Sequence, residues 1–592
     1  TSTPAKRPPQ PKATPRRRRD AARTSEATPF DPTEGRPITR VWELRTNVIK
    51  HLPKASVSSA LRHVKGCINT DAVWGILAAP AAMTLPARDR GYNVTRQLEG
   101  VIPPAPARRP AEREDDDAKK SRTARRMEEM ARHGHHGKAV QIGMGGNVRI
   151  ADNECKDPAA ELRKLNPRAD KADKKRRVHA SPDAVVVTSE EVLTAAKKMA
   201  KGEAAGVSGL SSDVLKQLLV HEHDIGGHEL VDAVTEIVTR ILREDVDFDA
   251  ADAIRMIRLV PLAKRRADQS FKGVRPVAMS ETILKLAANV ALAKIAGFGS
   301  AWDHQYGMAK GGVEKAIFKV HDAVRAGRRV RTLDASNAFN TIHRDAFFRT
   351  VEQNCSLPTF AAMKGYINFA YGVTSRAVYE DERGKVHNIE VQTGVRQGDP
   401  MAPLLFCLGI QPLLDAFATK YAHTGIEIVA FLDDIAIVAG ANTTSAQFVE
   451  AAEDLKREMK KIGLVLRDEH DTRDDFGPFR YLGAAITETA EEVDEALMNI
   501  RPLDDAKKFV ALLEGMEAAT ALTLLRVAGV SKGQFVARVH GAEAKGYLEQ
   551  FDKHVTEKAL CDALHAGAGR IRASEKISRP MRYGGYGFKF FA

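Results

Sequence analysis

Asp433 and Asp434 stand side by side in an apolar run, with Ile428-Val429-Ala430 before them and Ile435-Ala436-Ile437-Val438 after. The pattern predicts two buried β-strands joined by a tight turn that carries the carboxylates. Adjacent like charges in an apolar setting are costly unless cations neutralise them, and a hard divalent cation suits carboxylate oxygens best. Val330-Arg331-Thr332-Leu333-Asp334 reads as a further strand ending in an acid, followed by Ala335-Ser336-Asn337-Ala338-Phe339. Three acids at the ends of neighbouring strands can hold two magnesium ions about 4 Å apart, the arrangement used for in-line phosphoryl displacement. A lone Asp-Asp pair in an apolar hairpin is more often a plain turn than a metal site, so the segments around it decide.

Those segments come in a definite order. Arg258-Leu259-Val260-Pro261-Leu262-Ala263-Lys264 is followed by Val274-Arg275-Pro276-Val277, by Lys285, and by Gln305-Tyr306-Gly307-Met308. After Asp334 come Thr393-Gly394-Val395-Arg396-Gln397-Gly398-Asp399-Pro400, then Phe431 to Asp434, Ile462-Gly463-Leu464-Val465-Leu466 and Tyr481-Leu482-Gly483. Over about residues 180–590 this series resembles the fingers, palm and palm-to-thumb motifs of reverse transcriptases, in the flavour of non-LTR (LINE-type) retrotransposons and group II introns. Ala205-Gly206-Val207-Ser208-Gly209-Leu210 resembles the extra N-terminal motif of those two groups. Arg579-Pro580 and Tyr583-Gly584-Gly585-Tyr586-Gly587 resemble the segment past the thumb in LINE-type proteins.

The resemblance implies a role for each residue. Asp334, the Ala335 carbonyl, Asp433 and Asp434 would hold two Mg2+ ions, with Mn2+ a substitute, and Asp434 would face the primer end. Phe339 sits at the steric gate, where a ring under the sugar excludes a 2′-hydroxyl. Lys264 and Arg275 would contact the incoming triphosphate, a point charge and a planar fork respectively. Gln397 and Gly398 would lie against nucleotide and template, Gly398 allowing close backbone approach. Asp399-Pro400 is expected to cap and start a helix. Where the family usually has a lysine proposed as general acid for pyrophosphate, this chain has His470, which can donate a proton near neutral pH.

The chain has 592 residues, is 43% hydrophobic and carries a formal net charge of +13. That size supports several domains, and the charge points to a polyanionic partner. No apolar run is expected to reach the roughly 18 residues of a membrane span, and no secretory signal is visible. Cys67, Cys155, Cys355, Cys407 and Cys561 are scattered and odd in number, which argues for free thiols in a reducing compartment. His133, His135 and His136 lie in a Gly-rich basic stretch and read as solvated.

The expected organisation is a disordered basic tail over 1–40, including Arg16-Arg17-Arg18-Arg19, and a small helical unit over 41–100 with Trp42 and Trp74. A charged linker over 101–179 then leads to fingers at 180–325, palm at 326–490, and thumb with C-terminal segment at 491–592. The fold class is α+β: a right-hand polymerase whose antiparallel palm sheet carries helices on one face. Expected partners are an RNA template, a DNA primer or target and deoxynucleoside triphosphates, in a nuclear protein without a membrane, with a ribonucleoprotein as the setting. The implied activity is RNA-directed DNA synthesis at a nicked DNA 3′ end. No room is expected for a restriction-like or apurinic-type nuclease, so nicking would come from elsewhere or from a larger polyprotein. The rivals are an RNA-dependent RNA polymerase and a domesticated scaffold of a ribonucleoprotein.

Overall fold

The structure, a computed structural model, describes residues 57–68, 72–83, 116–132, 134, 136–143, 155–169, 177–265, 270–381, 385–473, 477–501, 503–578, 581, 588 and 590–591. The Arg16–Arg19 tail, Trp42, His133, His135, Arg579-Pro580 and the Tyr583 to Gly587 segment lie outside the described residues.

Ten strands occur among the described residues: β1 (Ile257–Arg265), β2 (Phe271–Met279), β3 (Val330–Ala335), β4 (Ser375–Glu380), β5 (Val386–Val391), β6 (Glu427–Phe431), β7 (Asp434–Val438), β8 (Leu466–Asp471), β9 (Phe479–Tyr481) and β10 (Ala484–Ile486). The palm sheet has the order β6-β7-β3-β8, with every neighbouring pair antiparallel. A second four-stranded sheet, β2-β1-β4-β5, belongs to the fingers, and β9–β10 form a separate hairpin.

The architecture is the expected right hand of mixed helix and sheet, with two differences in arrangement. First, helices cover both palm faces, not one. Leu333, Ile428, Ala430, Ile435 and Ile437 bury against the helix Ala402–Tyr421 and its neighbours. Val330, Val429, Ala436 and Val438 bury against the helix Gly312–Arg325 together with Phe479 and Tyr481. Unbroken apolar runs such as Ile435 to Val438 supply both faces at once, as a doubly covered sheet requires. Second, β4 and β5 lie in the middle of the expected palm span, yet β4 pairs with β1 and β5 with β4, so this stretch joins the sheet of β1 and β2.

The N-terminal elements dock onto the core. Helices Val57–Ile68 and Ala72–Met83, including buried Trp74, share a hydrophobic core with the fingers, and Lys65 pairs with buried Glu222 at 2.7 Å. The helix Asp116–Arg132 places Met127 and Ala131 into the thumb core, although its sequence reads as an exposed charged face. The two inward residues are spaced i, i+4, enough to seat one stripe. The thumb itself is helical, through Asp504–Leu513, Ala518–Leu524 and Val530–His540.

One helix, Ala402–Tyr421 with the turn through Thr424, is long and apolar enough to cross a membrane, contrary to the expectation from the sequence. Most of it is buried in the palm, with Leu405 and Ile410 fully covered. Its start also differs from expectation. The helix begins at Ala402, and Asp399 lies upstream, accepting hydrogen bonds from the Tyr366 and Tyr371 hydroxyls (2.7 and 2.6 Å) and from the Met401 amide (2.9 Å). Two buried phenols thus anchor the acid that the sequence suggested as a cap. Cys155, Cys355, Cys407 and Cys561 are free thiols.

Candidate active site

The palm strands bring the acids together by register. Asp334 near the end of β3 lies directly opposite Asp434 at the start of β7, and Asp433 occupies the turn between β6 and β7. Cross-strand partners share one face of a sheet, so the two carboxylates sit on the face that Thr332 and Ala436 continue.

The turn is strained. Leu432 has a positive φ of 55°, a region that a branched side chain rarely adopts. Gln305, fully buried, clamps it: Oε1 accepts from the Leu432 amide at 2.9 Å and from the Gly307 amide at 2.8 Å. The Tyr306 amide also donates to the Ala430 carbonyl at 2.7 Å. The Gln-Tyr-Gly motif therefore fixes the turn that carries Asp433. A Cβ at Gly307 would meet Leu432 Cδ2 at 2.8 Å and Gln305 Oε1 at 2.9 Å, so a larger residue there would push on the clamp.

Charge is concentrated at this spot. Burial lifts Asp433 above the usual carboxylate range, and Asp334 adds to the shift. Burial, then Asp433, Glu469 and Asp334, push Asp434 up to about 7. Glu469 is raised as well, by burial and by Asp334. It is a fourth acid that the sequence reading missed. Its place comes from a register shift in which Thr332 pairs with His470 and Leu333 with Asp468, leaving Glu469 as the bulged residue. No sequence signal marks that bulge.

Basic groups approach from the fingers. Leu262 faces Arg275 and Lys264 faces Gly273 in the β1–β2 hairpin, so Lys264 and Arg275 are diagonal neighbours on one face. Burial and Arg275 lower the Lys264 ammonium, while Asp334 and Asp433 oppose that shift. Lys272, not singled out from sequence, acts on both Lys264 and Glu469.

Phe339, Gln397 and Gly398 line a common cavity of about 440 Å3 with Lys285 and Glu203, which pair at 3.2 Å. The Phe339 ring stacks on Phe406 with centroids 4.9 Å apart. The Gln397 carbonyl accepts from the Ala278 amide at 3.0 Å, and a Cβ on Gly398 would stand 2.6 Å from the Ala278 carbonyl oxygen. The loop thus lies on the β2 backbone as only glycine permits. Gly394 is tighter still: at φ +67° its Cβ would sit 2.4 Å from the Phe339 carbonyl oxygen. Gly394→Ala is expected to cost about 3 kcal/mol, from backbone strain plus displacement of the Phe339 backbone. An unchanged urea midpoint would contradict this.

His470 lies opposite Thr332, its ring stacked on Phe479 at 4.0 Å. Ala335 ends β3 opposite Leu466 and is buried. Cys407 lies near Asp433, and burial with that charge pushes its thiol up to about 12.

The residues fit hard divalent cations by donor chemistry, since the carboxylates converge at one spot where burial and mutual repulsion raise both Asp433 and Asp434. Among the described residues no three His, Cys, Asp or Glu side chains form a closed ligand cluster. Magnesium commonly binds through one or two carboxylates, completing its shell with water and substrate phosphates.

Residues 264–486, which span Lys264, all the acids above and the β9–β10 hairpin, match the family described as reverse transcriptase (RNA-dependent DNA polymerase). This region is a reverse transcriptase domain. The chain is also 25% identical over 261 residues to the Retrotransposable element SLACS 132 kDa protein of Trypanosoma brucei gambiense, a stretch covering 44% of this chain and 21% of that protein. It therefore spans about a fifth of that relative's length. The Ser208 motif upstream of the reverse transcriptase match has a packing role: Ser208 donates through its amide and hydroxyl to buried Glu281 at 2.8 and 2.6 Å, at the start of the helix Thr282–Lys294.

Proposed function

We propose that this protein extends a DNA 3′ end on an RNA template, by nucleotidyl transfer at a site built from Asp334, the Ala335 carbonyl, Asp433 and Asp434. The observation that carries the reading is the Asp334–Asp434 register, with Asp433 in the adjoining turn and Lys264 and Arg275 facing it from the fingers. Two Mg2+ ions, or Mn2+ in their place, would be held by these acids; when bound they lower the pKa of the primer 3′-hydroxyl and neutralise charge on the transferring and leaving phosphates. Lys264 and Arg275 hold triphosphate oxygens and orient the phosphates for in-line attack. Gln397 and Gly398 seat the nucleotide, and the Phe339 ring excludes a ribose 2′-hydroxyl. Asp434 faces the primer terminus. His470 passes a proton to departing pyrophosphate.

The setting that fits is a nuclear retroelement ribonucleoprotein priming synthesis at a nicked target. The test is primer extension with purified protein, magnesium, an RNA template and a DNA primer, comparing deoxy- and ribonucleotides. Deoxynucleotide-dependent extension is expected. Tight RNA binding without extension would overturn the reading in favour of a scaffold, and equal use of ribonucleotides in favour of an RNA polymerase. His470→Ala is expected to slow single-turnover incorporation by about tenfold and to change its pH profile. An unchanged rate and profile would remove His470 from the mechanism.

A further inference from the structure

The segment 157–169, upstream of the matched domain, runs from the fingers sheet to the backbone on either side of Phe339. Its helix Pro158–Leu165 is capped by Asp157, which accepts from the Ala160 amide at 2.9 Å, and buries Ala159 and Leu162 against β1, β2, β4 and β5. Beyond the helix the chain turns onto the palm. The Leu165 carbonyl accepts from Asn337 Nδ2 at 2.7 Å. Asn166, only 6% exposed, accepts from Asn340 Nδ2 at 3.0 Å through its Oδ1, while its own Nδ2 donates to the Leu162 carbonyl at 2.8 Å. The Thr393 hydroxyl bridges the Pro167 and Asn340 carbonyls at 3.2 and 2.9 Å. The short helix Ala338–Thr341 that carries Phe339 starts at Asn337, which is left-handed at φ 55°. A four-residue helix entered through a strained residue has little stability of its own, so its position comes from what holds its ends.

We propose that residues 157–169 are a latch that sets the height of Phe339 beneath the sugar, with Asn166 as its positioning residue. The latch couples the fingers sheet, which also carries Lys264 and Arg275, to the site of sugar discrimination. This rests on the reading of Phe339 as the sugar gate. The geometry gives three ties around that ring: Asn337 before it, Asn340 after it, and the Val395 amide donating to the Phe339 carbonyl at 2.6 Å. Two of the three come from the latch. Removing the Asn166 oxygen leaves a buried Asn340 amide unsatisfied and lets the gate shift, which costs discrimination more than turnover.

The test measures kcat and KM for a deoxynucleotide and its ribonucleotide on one RNA template, with the full chain. Asn166→Ala is expected to lower the deoxy-to-ribo ratio of kcat/KM about tenfold, while kcat for the deoxynucleotide stays within about threefold. Asn340→Ala, which removes the donor from the other side, is expected to give the same loss, and the double variant to add little to either. Phe339→Ala separates the two readings: if it does not admit ribonucleotides, the gate assignment fails whatever the latch does. If Phe339→Ala admits them while Asn166→Ala or Asn340→Ala, folded by its melting curve, keeps the parental ratio, the latch alone is overturned.

Discussion

Asp433→Asn is expected to reduce nucleotide incorporation by on the order of a thousandfold or more, while leaving the folded chain at least as stable as the parent in metal-free buffer. The two halves of that outcome have one cause. The Asp433 carboxylate is desolvated and repelled by Asp334, so its charge burdens the fold when no cation is bound. Asparagine keeps the shape of the turn held by Gln305 and removes the charge. The activity loss alone could come from misfolding; the paired thermal melt excludes that. A variant that extends primers within tenfold of the parent would remove Asp433 from the site, and a large drop in melting temperature would show that its carboxylate serves the fold.

In the absence of divalent cations, stability should fall as pH rises from about 4 to about 7. Asp434 titrates at about 7 in the folded chain against an ordinary value of 3.8, and Asp433 and Glu469 shift in the same direction. An acid with a raised folded pKa binds its proton more tightly when folded. Its contribution is therefore fully present below the unfolded value and is lost as pH climbs through the folded one. Added Mg2+ should reverse the trend, because cation binding favours the ionised form: the gain in melting temperature should be larger at pH 8 than at pH 5. Asp434→Asn should flatten both the pH dependence and the magnesium response. Equal magnesium stabilisation at the two pH values, in the parent chain, would argue against cation binding at these acids.

Much of this was legible in the sequence because the acids interrupt apolar runs that can only be strands, and because so many short motifs follow one another in a fixed order. What escaped has specific physical reasons. Glu469 reaches the site through a bulge, and a one-residue slip in strand pairing leaves no mark in the alternation of side chains. Residues 375–391 alternate like any hairpin, and nothing local says that its first strand pairs with β1 across more than a hundred residues rather than with the palm. The helices on the second palm face follow from Val429, Ala436 and Val438, whose inward direction was hidden in runs apolar on both sides. Asp399 followed by Pro400 looks like a helix start, yet two distant tyrosines claim its carboxylate. Asn166 gave no signal, since its value lies wholly in where a helix ends against the palm.

Cys407, which feels the charge of Asp433, has a consequence for the reagents the protein can meet. Burial and that charge hold its proton up to about 12, so at working pH the sulfur offers alkylating agents no thiolate. Thiol-directed reagents should therefore spare this cysteine while the chain stays folded, because it is fully buried as well as protonated.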